Sequence, residues 1–347
     1  RHVARSGIIE KISTSLAEAG LEYQIFAEAV PEPAVEDIDR IVGILKASGA
    51  DAVLAVGGGS PIDTAKAVCM LMTHEGSCRD YLFGGSKTVT KQGMPLIAIP
   101  TTAGSGSEMT AAAVIEDKQK NVKLSITSPY LVPKIAVIDP QLQTGMPPFI
   151  TATTGMDALT HAIESYVSKR ENPVADLFAL KAIKLIARSI RTATADGNDI
   201  QAMADMALAS TLAGVAFMNG GLGIVHGISQ TMGAIAHVAH GEANALLLPY
   251  CMEKNAPACP ERFRDIAQAL GEDVSTRSSE EAAKLAAKAA FRLAEDLHIP
   301  TKLHEVGVTR EMFDAIVEGT MAYRMLAINP MKITEQDVRD ILEAAYA

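Results

Sequence analysis

Apolar residues recur at Val3, Ile8, Ile9, Ile12 and Leu16. That spacing predicts a helix over residues 3–19, and Gly20 supplies its stop. Tyr23 to Phe26 reads as a short strand, Pro31-Glu-Pro33 as a loop, and Val35 to Ser48 as a second helix closed by Gly49. The run Asp51-Ala-Val-Leu-Ala-Val56 is short and apolar, as a buried parallel strand requires. It passes directly into Gly57-Gly-Gly-Ser60 and a helix from Pro61 to about Met72. Two similar runs follow. Pro95 to Pro100 enters Thr101-Thr-Ala-Gly-Ser-Gly-Ser-Glu108, and Ile135-Ala-Val-Ile138 ends at Asp139-Pro140. Alternation of this kind predicts a Rossmann-like, doubly wound parallel sheet. Past residue 146 the alternation stops. From Thr151 on the period is helical, with breaks near Gly197, Gly220, Gly241, Gly271 and Pro300. The predicted organisation is an α/β domain over residues 1–146 and an all-helical domain over residues 147–347, divided within Gly145-Met-Pro-Pro148.

Composition narrows the class. Of 347 residues, 48% are apolar, 21% charged and 4% aromatic, the profile of a soluble globular protein with ample core. A net charge of −10 argues against nucleic acid or an anionic membrane as partner, since either would need a basic face. From Met206 to Gly241 there is no Asp, Glu, Lys or Arg, yet Asn219-Gly-Gly-Leu-Gly223 and three histidines interrupt the run. Buried core helices fit that stretch better than a membrane span. Cys69, Cys78, Cys251 and Cys259 show no C-x-x-C spacing and read as free cytosolic thiols.

Candidate chemistry lies in four stretches. In Gly57-Gly-Gly-Ser60, between strand and helix, glycines let backbone N–H groups approach a pyrophosphate at a helix N-terminus. Ser60 and Asp63 make an S-x-x-D capping pattern around Pro61, so a well-capped turn without ligand has the same signature. Thr101–Glu108 supplies a second set of hydroxyls at a strand end. Two such loops at the carboxyl ends of parallel strands favour a nucleotide. In Gly155-Met-Asp-Ala-Leu-Thr-His-Ala-Ile-Glu164, Asp157 and His161 are four apart, about 6 Å at Cβ on one helix face. Alone, D-x-x-x-H is also an ordinary ion pair on a solvated helix. Further on, His226, His237 and His240 fall within fifteen positions of an uncharged segment, an expensive arrangement without a partner such as a metal. The candidate ligand set is Asp157, His161, His226 and one of His237 or His240. From spacing alone those two are near equals. Three imidazoles and a carboxylate suit Fe²⁺, Zn²⁺ or another first-row dication.

Gly57-Gly-Gly-Ser-Pro-Ile-Asp63-Thr-Ala-Lys66, Thr101–Glu108, Thr154–Glu164 and His226 followed by His240-Gly241 together resemble the iron-containing (group III) alcohol dehydrogenases, in order and over essentially the whole chain. The resemblance implies a dehydroquinate-synthase-like fold, with a dinucleotide-binding N-terminal domain and a helical metal domain. It places the metal ligands at Asp157, His161, His226 and His240, leaving His237 a neighbour. Cofactor contacts fall on Gly58, Gly59, Ser60, Asp63, Thr101, Thr102, Thr110 and Lys123. The implied activity is hydride transfer between NAD or NADP and a small primary alcohol or aldehyde polarised by the dication, in a cytoplasmic homodimer.

This chain departs from the family pattern at three places. Gln230 stands where relatives often carry a second histidine near the nicotinamide, and glutamine cannot relay a proton by titrating. Ala111-Ala-Ala113 replaces larger or polar side chains, which implies a roomier pocket and admits an alternative substrate, an aldehyde carrying a phosphonate or sulfonate group. Relatives begin with a strand and a loop acid that selects NAD or NADP, just before the point matching Arg1. The expectation is that the numbered chain starts inside a longer protein, and both cofactors stand. A binding protein without redox activity is the remaining alternative, resting on Gln230 alone.

Overall fold

A computed structural model describes residues 7–120 and 122–347. The chain divides into two compact units, one of residues 1–102 and 107–143, the other of 103–106 and 144–347.

In the first unit, helices α1 (Ile8–Glu18) and α2 (Val35–Ser48) precede β1 (Val53–Gly57), α3 (Gly59–Leu71) and β2 (Leu96–Pro100). A hairpin, β3 (Ala112–Asp117) and β4 (Val122–Thr127), comes next, then the two-residue strand β5 (Ile135–Ala136). The parallel sheet has the order β1-β2-β5, with Val53 opposite Leu96 and Ile97 opposite Ile135. Its apolar runs are buried where α3 packs on β1 and β2, around Ala55, Ile62, Ala65, Leu96 and Ala98. Val35, Ile38, Val68, Leu71, Ala113, Ile115 and Ile126 form a second cluster that seats α2, α3 and the hairpin together.

The first helix runs from Ile8 to Glu18, and residues 3–6 of the expected span, Val3 among them, lie outside the described residues. Tyr23–Phe26 is not a strand. Alternation sets faces, but a strand also needs a neighbour's backbone groups, and this segment joins neither sheet. The β3–β4 hairpin has no counterpart in the sequence reading. Its turn, described over Lys118-Gln-Lys120, carries no glycine to announce it.

The second unit is helical: α4 (Pro148–Val167), α5 (Pro173–Ala195), α6 (Ile200–Gly220), α7 (Ile224–Ala236), α8 (His240–Asn255), α9 (Pro260–Ala269), α10 (Ser279–Asp296), α11 (Phe313–Met321) and α12 (Glu335–Tyr346). Helix α4 is its axis. Every residue from Gly155 to Val167 is buried, with α5, α6 and α8 packed around it. A helix covered on all sides carries no amphipathic stripe, which explains how Asp157, His161 and Glu164 come to lie inside. Among the described residues α6 alone is long and apolar enough to cross a membrane; 56% of its most apolar window is buried, and it packs on α4 and α5.

The break assigned to Gly241 falls a few residues earlier. Helix α7 ends at His237, which adopts a left-handed φ of 55°, and α8 begins at His240. His240 therefore opens a helix instead of ending one. Gly241 permits a close approach, since a Cβ there would sit 2.8 Å from the Thr153 carbonyl oxygen. That contact lets the start of α8 lie against α4.

Candidate metal and nucleotide sites

In the first unit the glycine turn and the hydroxyl-rich loop are neighbours. Thr101 N–H donates to the Gly57 carbonyl at 2.9 Å, and a Cβ on Gly58 would lie 3.1 Å from Thr102 Oγ1. The helix starts two residues before the predicted Pro61, with Gly58 as N-cap and no side-chain cap. The expected S-x-x-D box is therefore not formed. Ser60 Oγ accepts from Glu32 N–H, and the Asp63 oxygens accept from Ser107 Oγ–H at 2.5 Å and Val114 N–H at 3.0 Å. An uncapped N-terminus beside a glycine turn leaves backbone N–H groups and positive helix-end charge for an anion.

Behind this turn lies Lys66, the last letter of the motif Gly57–Lys66. Lys66 is fully buried, its ammonium donating to Thr110 Oγ1 at 2.7 Å, the Ala112 carbonyl at 2.8 Å and Ser107 Oγ at 3.0 Å, with Asp63 at 3.6 Å. Burial lowers its pKa to about 8 against the opposing pull of Asp63 and Glu108. Of the expected cofactor contacts, Asp63 and Thr110 belong to this buried network. Lys123, on β4, is ion-paired with Glu32.

In the second unit, helices α4, α7 and α8 bring Asp157, His161, His226 and His240 together. One donor atom from each lies within 4.8 Å of all the others. Four ligands about 2.1 Å from one cation in tetrahedral array lie roughly 3.4 Å apart, so the widest pairs of this set draw in by about an ångström on binding. The rings nest: His161 stacks on Phe217 at 4.4 Å and on His226 at 4.8 Å, and His226 meets His240 at 5.2 Å. His237, exposed at the end of α7, is not in the set.

The electrostatics suit a cation. Burial pushes His161 down to about 4, outweighing the attraction of Asp157, so one ring nitrogen keeps its lone pair at neutral pH. Burial alone would raise Asp157, but His161, His240, His226 and the Asn244 amide together hold it below the usual carboxylate range. Two buried polar atoms here, His161 Nδ1 and Asn244 Oδ1, have no hydrogen-bond partner. Four basic donors packed face to face, with orphaned polar atoms among them, fit a resident dication.

Two further residues of the site have no role that the sequence alone assigns, Glu164 standing there only as a letter of its motif. Asn244, one turn after His240, donates through Nδ2 to Asp157 Oδ1 at 2.7 Å and lies 3.2 and 3.1 Å from Nε2 of His226 and His240. Glu164 holds the far side of His226, with Oε2 2.6 Å from its Nδ1. The i,i+4 spacing from His240 could have flagged Asn244. Glu164 reaches a helix sixty residues away, and no local pattern announces that.

A parallel sheet with a glycine turn at its strand ends can receive a nucleotide phosphate, and a buried His₃Asp cluster on a helical scaffold can receive a dication. Two family models match: iron-containing alcohol dehydrogenase over residues 1–140, and the C-terminal part of the same family over residues 151–346. The chain is 40% identical to long-chain-alcohol dehydrogenase 1 of Geobacillus thermodenitrificans, across 99% of this chain and 87% of that one. Among solved structures, a 1,3-propanediol oxidoreductase superposes with a TM-score of 0.96 at 38% identity, covering 100% of this chain and 90% of that one. Sulfoacetaldehyde reductase of Bifidobacterium kashiwanohense, solved with NAD⁺, gives 0.89 at 30% identity over 98% and 89%. The chain belongs to the iron-containing alcohol dehydrogenase family. It is a metal-dependent oxidoreductase of the alcohol dehydrogenase and aldehyde reductase kind, acting on CH–OH groups.

Proposed function

We propose that the chain interconverts a small primary alcohol and its aldehyde with NAD or NADP, using a dication held by Asp157, His161, His226 and His240. Gly58, Gly59, Ser60, Asp63, Thr101, Thr102, Thr110 and Lys123 form the cofactor side of this reading. The observation that carries it is the convergence of four donors from three helices onto one buried point. When bound, the dication supplies Lewis-acid polarisation of the substrate oxygen, and the nicotinamide takes or gives the hydride. The chain's own part is preparation. Burial keeps His161 neutral, Asn244 orients the Asp157 carboxylate, and Phe217 closes one face of the ligand rings. His240 is the open side: its side chain is 41% exposed, against 6% and 7% for His161 and Asp157. Substrate would approach there. Iron is the family's metal, while generic affinity order favours Zn²⁺ over Fe²⁺, so the two compete for this donor set.

Four free thiols, three of them buried and all held protonated by burial, support a cytoplasmic setting; family likeness supports a homodimer. An aldehyde bearing a sulfonate or phosphonate is the second reading, favoured by Ala111 and Ala112, by Gln230 and by likeness to the sulfoacetaldehyde reductase, while Ala113 belongs to the core. Anaerobic oxidation of NADH and NADPH with matched neutral and anionic aldehydes decides between them. Preference for neutral aldehydes supports the first reading and preference for anionic ones the second. Failure with every aldehyde and both cofactors, in metal-loaded enzyme, sinks both.

A further inference from the structure

Besides Asp157, the helical unit buries two carboxylates: Asp205, held by Arg188 and Ser189, and Glu164, which faces a candidate ligand. Glu164 lies on α4 one turn beyond His161, and its residue is 3% exposed. Its two oxygens are spent on α7. Oε1 accepts from Val225 N–H at 2.7 Å, and Oε2 faces His226 Nδ1 at 2.6 Å. The preceding N–H of α7, that of Ile224, donates to Asn329 Oδ1 at 3.2 Å, and Asn329 is itself locked to Asn255 at 2.7 Å. The first turn of α7 is thus anchored from outside the helix, which has no side-chain cap of its own.

A carboxylate can only accept, so the 2.6 Å contact requires the hydrogen of His226 to reside on Nδ1. Nε2 then carries the lone pair, and it is the nitrogen within 3.2 Å of the Asn244 amide beside Asp157 and His240. Resting on the metal assignment made above, we propose that Glu164 is a positioning residue. It fixes the tautomer and ring orientation of His226 and pins the start of α7, so that Nε2 faces the cluster before any cation arrives. Carboxylate partners of metal-bound histidines commonly act this way.

The substitution Glu164→Gln separates this role from simple packing. The amide oxygen can serve Val225 N–H while the amide NH₂ donates to His226 Nδ1. Every group stays paired, yet the hydrogen is forced onto Nε2, where it blocks the lone pair. Co²⁺ titration of metal-stripped full-length protein against a competing chelator is the test, with thermal unfolding of the stripped proteins alongside. The expected result is a loss of Co²⁺ affinity of about 10–100-fold in E164Q, with the stripped variant unfolding within a few degrees of wild type. Equal affinity within twofold would overturn the proposal, as would a loss matched by equal destabilisation of the stripped protein. Should E164Q fail to fold, ring ¹⁵N shifts of His226 in stripped wild type, assigned with H226Q, report the tautomer directly. Hydrogen on Nδ1 upholds the proposal; hydrogen on Nε2 overturns it. Wild-type protein that took up no Co²⁺ would instead strike the metal assignment itself, and the inference with it.

Discussion

In the first unit, polar side chains near the glycine turn answer one another. Lys66 binds Ser107, Thr110 and the Ala112 carbonyl, Ser107 binds Asp63, and Asp63 takes a backbone N–H. In the second unit, the buried polar groups at the junction of α4, α7 and α8 are nearly all bases. Asn244 is the donor that faces the four candidate ligand atoms, and two polar atoms find no partner. The contrast separates two ways of preparing a site. A phosphate is met by backbone N–H groups and a helix end, so the side chains around it are free to build the scaffold. A cation is met by lone pairs, and crowding lone pairs together in a buried place costs free energy until the cation arrives.

That contrast breaks most visibly at a ligand. Asp157→Ala removes the carboxylate that balances the dication, and metal affinity should fall by more than about 100-fold, more than the loss of an outer partner. Activity should fall with it, checked by metal analysis beside turnover. Full activity in a metal-free variant would leave the cluster without a purpose.

The matching change in the first unit is Lys66→Met. It leaves three acceptors without their donor in a fully buried place, and should cost about 3 kcal/mol in chemical denaturation. The cofactor dissociation constant should rise roughly tenfold as Thr110 loses its anchor, since one lost hydrogen bond is about 1.4 kcal/mol. Co²⁺ affinity should not move. If it fell as much as cofactor affinity, the two sites would not be separately built.

Titration sharpens the contrast further. His161 in the stripped protein has a folded value near 4, below its ordinary 6.5, so the unfolded chain takes the proton first. Stability should be full above about pH 6.5 and decline as the pH falls towards 4. Asp157, held below its ordinary value, adds a loss in the same direction at lower pH. Denaturation midpoints that stay flat from pH 7 to 4 would contradict the buried neutral imidazole.

The smallest expected effect belongs to Gln230→His. An imidazole there should add an ionisation near pH 6.5 to the pH profile of kcat/KM, with a change in maximal rate of only a few-fold. An unchanged profile would mean that position 230 takes no part in proton movement.

What the sequence disclosed follows from the range of the physics involved. Asp157 and His161 are legible because one helix turn separates them, and β1 and β2 because each is an apolar run entering a loop of small residues. His237 and His240 are alike by spacing, since both lie near the end of one helical pattern. Their difference comes from a left-handed residue at 237 that ends α7 and a fresh start at 240. Ser60 looks like a cap because S-x-x-D is a local pattern, but Asp63 is claimed by Ser107, forty-four residues away. Glu164 and Lys66 were in view as motif letters. Their partners lie on other elements, and only folding brings those within reach.

Whether the cluster holds a catalytic dication is read out by reconstituting stripped enzyme. Fe²⁺ would be added in fractions of an equivalent under anaerobic conditions, with aldehyde-dependent oxidation of reduced cofactor followed at each step. Activity should rise linearly to a break at one equivalent per chain, with no rise in Asp157→Ala. Activity that is full before any metal is added, or that rises equally in the variant, would contradict it.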